Sequence, residues 1–271
     1  MTILRSLAML AVVGAALSAQ AQKVTLRYNP PAGKTYVYAS TSTNSQTTPQ
    51  GKMSMKQTMT VTTKIVKNVG GKVTTETTMS GAKVTATGPA AGMAANIEKT
   101  LNGTKTTAVM DNRGRPVDMK ASGSAMMQSV MSGMSSGLGS MQGFPAEPVG
   151  VGSKWSSVMD FQKMMSGMMQ GMSITGGKIP VNMVLKSFEV SNGRKLAVIS
   201  VSLKGSFGIV PPKNSGAPSG NVTTTMNTTA VMKVDVVTGM PVEVVSTGSG
   251  STAFGKMKMD QSTSSTMKLV K

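Results

Sequence analysis

From Met53 to Ile65 the chain alternates apolar and polar residues. Met53, Met55, Met59, Val61 and Ile65 fall on one face, and Ser54, Lys56, Thr58, Thr60, Thr62 and Lys64 on the other. A period of two over this length predicts an antiparallel strand with one face toward a core. Asn68-Val69-Gly70-Gly71 predicts a hairpin turn, its glycines supplying positive φ at no steric cost, and Val73, Thr75, Thr77 and Met79 bring the chain back. The pattern recurs at 105–111, turned by Asn112-Arg113-Gly114-Arg115-Pro116 before 117–121 starts back, and again at 155–161. Strands at 181–190 and 196–203 pair about Asn192-Gly193, a strong short-range hairpin signal. Within 196–203, Ala197, Ile199, Val201 and Leu203 line one face while Leu196 and Val198 begin the other, so one end of this strand is covered on both sides. Residues 222–236 alternate, Thr238-Gly239-Met240-Pro241 turns them, and 242–245 returns. The last strand points Met257, Met259, Met267 and Leu269 inward and Lys258, Asp260 and Lys268 outward. At the start, Val24, Leu26 and Tyr28 predict a short first strand, Tyr36 and Tyr38 begin a second, and 40–51 predicts a polar loop.

Two segments have the other period. Met127, Val130, Met131, Met134, Leu138 and Met141 recur at steps of three and four, one face of a helix. Gly123, Gly133, Gly137 and Gly139 oppose it, each costing about 1 kcal/mol against Ala, so the helix needs its Met face covered. Met164, Met165, Met168, Met169 and Met172 allow a second, shorter helix. Residues 89–101 hold at most one helical turn near Met93 to Ile97. Between the two Met-rich segments lies 144–155, with two prolines, two glycines, a Phe and the chain's one Trp; it reads as the joint between two β-rich halves of a single domain, 22–271.

Composition narrows the picture. Residues 1–21 have the marks of a secretory signal peptide: Arg5, an apolar run from Leu7 to Leu17, and the cleavage site Ala19-Gln20-Ala21, so the mature chain is expected to begin at Gln22. That run is shorter than a spanning helix requires. With no Cys there is no disulfide and no lipidated cysteine. Aromatics make up 3% and methionines number 27, so the core must be aliphatic and thioether, and adaptable. The net charge of +18 comes from lysines spread along the chain. It fits an anionic envelope surface, or serves to keep Thr-rich sheet edges from pairing with other chains. Nucleic acid is not an expected partner, since single-strand binding adds stacking aromatics to the positive groove.

Catalytic parts are scarce. Without His or Cys, the Ser-His and Cys-His pairs and the usual zinc ligands are absent. Asp111 and Asp118 are the nearest carboxylate pair, but acidic residues beside turn glycines are more often turn formers. We therefore expect a protein that is not an enzyme and carries no cofactor. Two binding sites are open to it. An apolar or lipidic ligand would sit in a Met/Val-lined cavity roofed by Met127, Met131, Met134, Leu138 and Met141. Alternatively Met164, Met165, Met168, Met169 and Met172 would bind Cu(I), for which thioethers are soft ligands. A structural or surface-associated role without a small ligand is the third reading.

Leu26-Arg27-Tyr28, Gly33-Lys34-Thr35-Tyr36, Phe144-Pro145, Pro148-Val149, Val151-Gly152, Trp155 and Asp235…Thr238-Gly239…Pro241 together resemble an uncharacterised family of secreted bacterial proteins of unknown function. The resemblance implies export and a β-rich structure and supplies no activity. Many such proteins are similar in outline to periplasmic lipoprotein carriers, a curved sheet around helices. The expected fold is mainly β (α+β): a strongly curved antiparallel sheet or open barrel with one or two Met-rich helices on its concave face. The expected location is the periplasm or the exterior, with no transmembrane helix in the mature chain.

Overall fold

A computed structural model describes residues 23–49, 51–122, 143–162, 173–210, 222–255 and 257–271. Its strands are β1 (Thr35–Thr48), β2 (Gly51–Val69), β3 (Lys72–Thr87), β4 (Lys105–Asp111), β5 (Pro116–Ala121), β6 (Lys154–Asp160), β7 (Ser173–Thr175), β8 (Lys178–Ser191), β9 (Arg194–Val210), β10 (Val222–Asp235), β11 (Pro241–Phe254) and β12 (Met257–Leu269). A 3₁₀ turn, Gly88–Met93, leads into a helix, α1 (Ala94–Leu101). All the strands belong to one antiparallel sheet of order β5-β4-β3-β2-β1-β12-β11-β10-β9-β8-β6, with β7 beside the far end of β9. Most neighbours are consecutive in sequence, but β3 reaches β4 through the helical segment, β6 pairs with β8 and not with β7, and at the centre the first and last strands pair from Tyr38↔Leu269 to Thr47↔Asp260. The expected turns hold: Gly70 and Gly71 have φ of 60° and 73°, and Asn192 and Gly193 have φ of 51° and 72°.

The sheet is open, with edges at β5 and β6, and it curls. Laid flat at about 4.8 Å per strand, those edges would lie roughly 45–50 Å apart. Yet one loop touches both: the Phe144 N–H donates to Arg113 O in the β4–β5 turn, and Trp155 Nε1 of β6 donates to Gly143 O. Residues 23–31 cross the same end. Val24 bridges Val149, the Tyr28 N–H donates to Asn112 O, the Asn29 N–H donates to Thr238 O, and Asn68 Nδ2 donates to Asn29 Oδ1 and Pro30 O. Leu26 (0% exposed), Tyr28, Phe144 and Val149 are thereby driven into a core with Ile65, Val73, Ile199 and Leu185. Gly239 is required here: its φ is +68°, and a Cβ would collide with the Arg27 and Tyr28 backbone.

Three expectations change. Residues 23–31 make one β-bridge and plug the end of the sheet instead of forming a strand. The expected loop at 40–51 is mostly strand, because β1 runs to Thr48 and β2 begins at Gly51; both faces there are polar, which hid the alternation. Residues 88–101 form the 3₁₀ turn and α1, more helix than the single turn expected.

Register assigns every strand residue a face. Beyond the plugged end, the inner positions are Ser, Thr, Asn, Gln, Gly, Ala and aliphatic, thioether or aromatic residues. Lys52, Lys56, Lys64, Lys83, Lys204, Lys258 and Lys268 all fall on the outer face, as do Glu76, Asp118, Glu243 and Asp260. Lys186 occupies the bulge in β8 and Lys195 the start of β9, its ammonium 4.7 Å from the Phe188 ring. On the outer face Lys233 Nζ lies 3.0 Å from Glu189 and 3.6 Å from Glu243, raising its pKa chiefly through the hydrogen bond to Glu189. By register this reach crosses β9 at Leu196 and Val198, which are 1% and 8% exposed, matching the expectation that this strand end is covered twice.

Candidate ligand-binding site on the inner face

At the end away from the plug, α1 supplies a roof. β4 pairs with β3 only as far as Thr78, so the rest of that β3 edge lacks a strand neighbour. The helix takes its place. Asn102 Oδ1 accepts the Ala82 N–H, Glu98 accepts the Val84 N–H, and Met79 exchanges backbone bonds with Gly103 and Thr104. Gly81, at φ +59°, sits in the bulge where β3 spends an extra residue against β2. Anchored there, the helical segment and β1–β2 enclose a recess of about 210 Å³ lined by Met53, Met55, Ala90, Met93, Ile97, Asn44 and Gln46, with Ser54 at its margin. Its walls are largely thioether and aliphatic carbon, the adaptable kind.

The two polar members belong to a stripe. Gln46 opposes Gln261 and Asn44 opposes Thr263 across β1–β12; on β11 the next positions are Gly250 and Gly248. A Cβ at Gly248 would lie 2.8 Å from Thr263 Oγ1, and one at Gly250 3.2 Å from Gln261 Nε2, so the glycines let these side chains lean across β11. Gln46 Nε2 lies 3.5 Å from Met259 Sδ, a weak contact. Asn44 and Gln261 form no side-chain hydrogen bond among the described residues, so their amides face the trough uncommitted.

The plugged end is polar only in part. Tyr28, Tyr36 and Tyr38 cluster there; burial raises all three phenol pKa values, with Asp235 adding to the rise at Tyr36. Tyr38 Oη is buried without a hydrogen-bond partner among the described residues. Asp111 and Asp235 head the β4–β5 and β10–β11 turns alike, each accepting two backbone N–H groups. Burial, the largest single effect on Asp111, pushes its pKa up, but hydrogen bonds from Arg115 and Arg113 together hold it below the ordinary carboxylate value. Asp111 is thus a turn former.

The sequence-predicted site residues Met127, Met131, Met134, Leu138 and Met141, and Met164, Met165, Met168, Met169 and Met172, lie outside the described residues. The recess uses other methionines. Met53 and Met55 were legible as inward-facing; Met93 and Ile97 carried only the helical spacing, and Asn44 and Gln46 were hidden in a presumed loop. A larger depression, about 650 Å³, lies on the outer face between Lys204, Asn227 and Ser249 on one side and Ser206, Thr225, Ser251 and Asp260 on the other. It is the weaker site, because it is shallow and its side chains satisfy each other: Thr225 Oγ1 to Ser251 Oγ at 2.9 Å, Lys258 to Asp260 at 2.9 Å. Among the described residues no group of three or more His, Cys, Asp or Glu is placed to hold a metal. No helix among them is long and apolar enough to cross a membrane.

No family model matches the chain, and no curated protein matches it. Solved structures share parts of the strand arrangement. Lipovitellin aligns at 9% identity and a TM-score of 0.49 over 89% of this chain, which spans 25% of the lipovitellin chain. An outer membrane channel from Pseudomonas putida F1 aligns at 8% identity and TM-score 0.31, covering 89% of this chain and 97% of its own. A DUF1329 family protein from Desulfovibrio piger aligns at 10% identity and TM-score 0.24, covering 86% and 85%.

Proposed function

We propose that this is an exported, non-enzymatic protein of the cell envelope that holds an apolar or lipidic ligand on the inner face of its curled sheet. The recess under α1 carries the reading. It is an apolar hollow held against a trough uncharged among the described strands, on a face whose far end is plugged. Ligand pockets usually enclose about 300–1,000 Å³. A hollow of about 210 Å³ therefore accepts one end of a ligand, an acyl chain, with the remainder along the trough. Polar chemistry on the outer face, threonine and lysine, serves solvent and keeps the sheet edges from pairing with other chains.

The test is titration of the detergent-free chain with a neutral pyrene-labelled acylglycerol, reading the probe's emission. We expect saturable binding that Met55→Lys weakens at least about tenfold, since a charge placed in the recess has no partner there, with the circular dichroism unchanged. Unsaturable partitioning, or binding indifferent to Met55→Lys, would remove the site.

A further inference from the structure

The inner face, beyond its apolar recess, has a second property that bears on the ligand. In the described strands beyond the plugged end, no inner position is charged, although the chain carries 28 Lys and Arg residues. The segregation holds on β1, β2, β11 and β12, where the trough is most polar. Beside the inward methionines of β2 and β12, these strands offer amide and hydroxyl: Asn44, Gln46, Gln261 and Thr263 within one block of the β1–β12 ladder. Each amide carries both donors and an acceptor. Asn44 and Gln261 have neither function engaged by a described side chain. A carboxylate or phosphate brought here would find no cation among the described inner strand positions, and removing an unpaired anion from water is costly. A hydroxyl or amide would find matched partners at a cost near zero.

We propose that the ligand's head is polar and uncharged, of the glycerol-ester or amide class, read by Asn44, Gln46 and Gln261 while its chain enters the recess beside Met53 and Met55. The inference rests on the apolar-ligand reading and narrows it. It separates two roles by face: anions are drawn to the outer lysines without selectivity, and the inner stripe selects against them. Asn44 and Gln46 line the recess opposite Met55 and Met53, and Gln261 stands one strand further on, opposite Gln46, so head and chain are contiguous in a single ligand.

The experiment compares two probes with the same chain, monooleoylglycerol and oleate, each kept below its aggregation limit and titrated into the full chain by calorimetry at about 1 M salt, where the Debye length is about 3 Å and outer-face attraction is screened. We expect the glycerol ester to bind at least about tenfold more tightly than oleate. Asn44→Leu with Gln261→Leu should erase that preference and leave chain binding in place. Oleate binding equally or more tightly, or a preference that survives the double substitution, overturns the head-group assignment and leaves the recess intact. If neither probe binds, both this inference and the apolar-ligand reading fall. Should the double variant not fold, the ratio in the unaltered protein still decides.

Discussion

Tyr38 shows how a single residue sets a limit on this fold. Its ring fills the core between Val61 and Leu269, but its hydroxyl is buried with no partner among the described residues. An unsatisfied buried polar group costs about 1–3 kcal/mol. Tyr38→Phe should therefore stabilise the protein by up to that amount at neutral pH, seen as a higher denaturant midpoint. A lower midpoint would mean that the hydroxyl is engaged. The three tyrosines also set an alkaline limit. Their folded pKa values lie above the unfolded value, so the stability they lend is intact below about pH 10 and is lost as pH rises past it. Tyr38→Phe should make that decline shallower in a series of unfolding curves. Leu26 was legible as an inward residue at this scale; its role in a plug was not, because alternation gives a face and says nothing about whether a strand partner exists.

At the level of elements, α1 does the work of a missing strand. Asn102→Ala would remove the acceptor for the Ala82 N–H, and we expect a loss of about 1–3 kcal/mol together with faster amide exchange at Ala82 and Val84. Exchange unchanged at both amides would show that the edge is protected by something else. The hairpins of this chain were readable because glycine at positive φ and an Asn-Gly pair specify turns locally. The strand content of 40–48 was not readable, since Ser, Thr, Asn and Gln on both faces leave no apolar period. Nor was the helix: α1 is eight residues long, too short for its apolar spacing to stand out, and what fixes it is the long-range edge of β3, which local sequence cannot express. The residues of the recess were accordingly split. Met53 and Met55 came from a clear strand, Met93 and Ile97 from an ambiguous one-turn signal, and the two Met-rich runs first expected to form the sites fall outside the described residues.

On the scale of the whole molecule, the sheet divides its chemistry between two faces. Charge goes outward; apolar core, Met-walled recess and neutral polar stripe go inward. The curl that joins the two edges through 143–149 brings residues 23–31 and 143–149 across one end, while the described residues at the other end are the 3₁₀ turn and α1 over β1 and β2. A curved mainly-β sheet was predictable from the count and spacing of alternating segments. The plugged end was not, because it depends on where 23–31 and 143–149 cross, contacts far apart in sequence.

Ligand on the inner face, in the recess under α1, is what the proposed function requires. Photo-crosslinking with a neutral acylglycerol carrying a terminal alkyl diazirine, followed by peptide mapping, tests it most directly. Adducts are expected to concentrate on the peptides holding Met53, Met55, Met93 and Ile97 and to be competed away by unlabelled monooleoylglycerol. Adducts confined to outer-face peptides, or spread without competition, would contradict it.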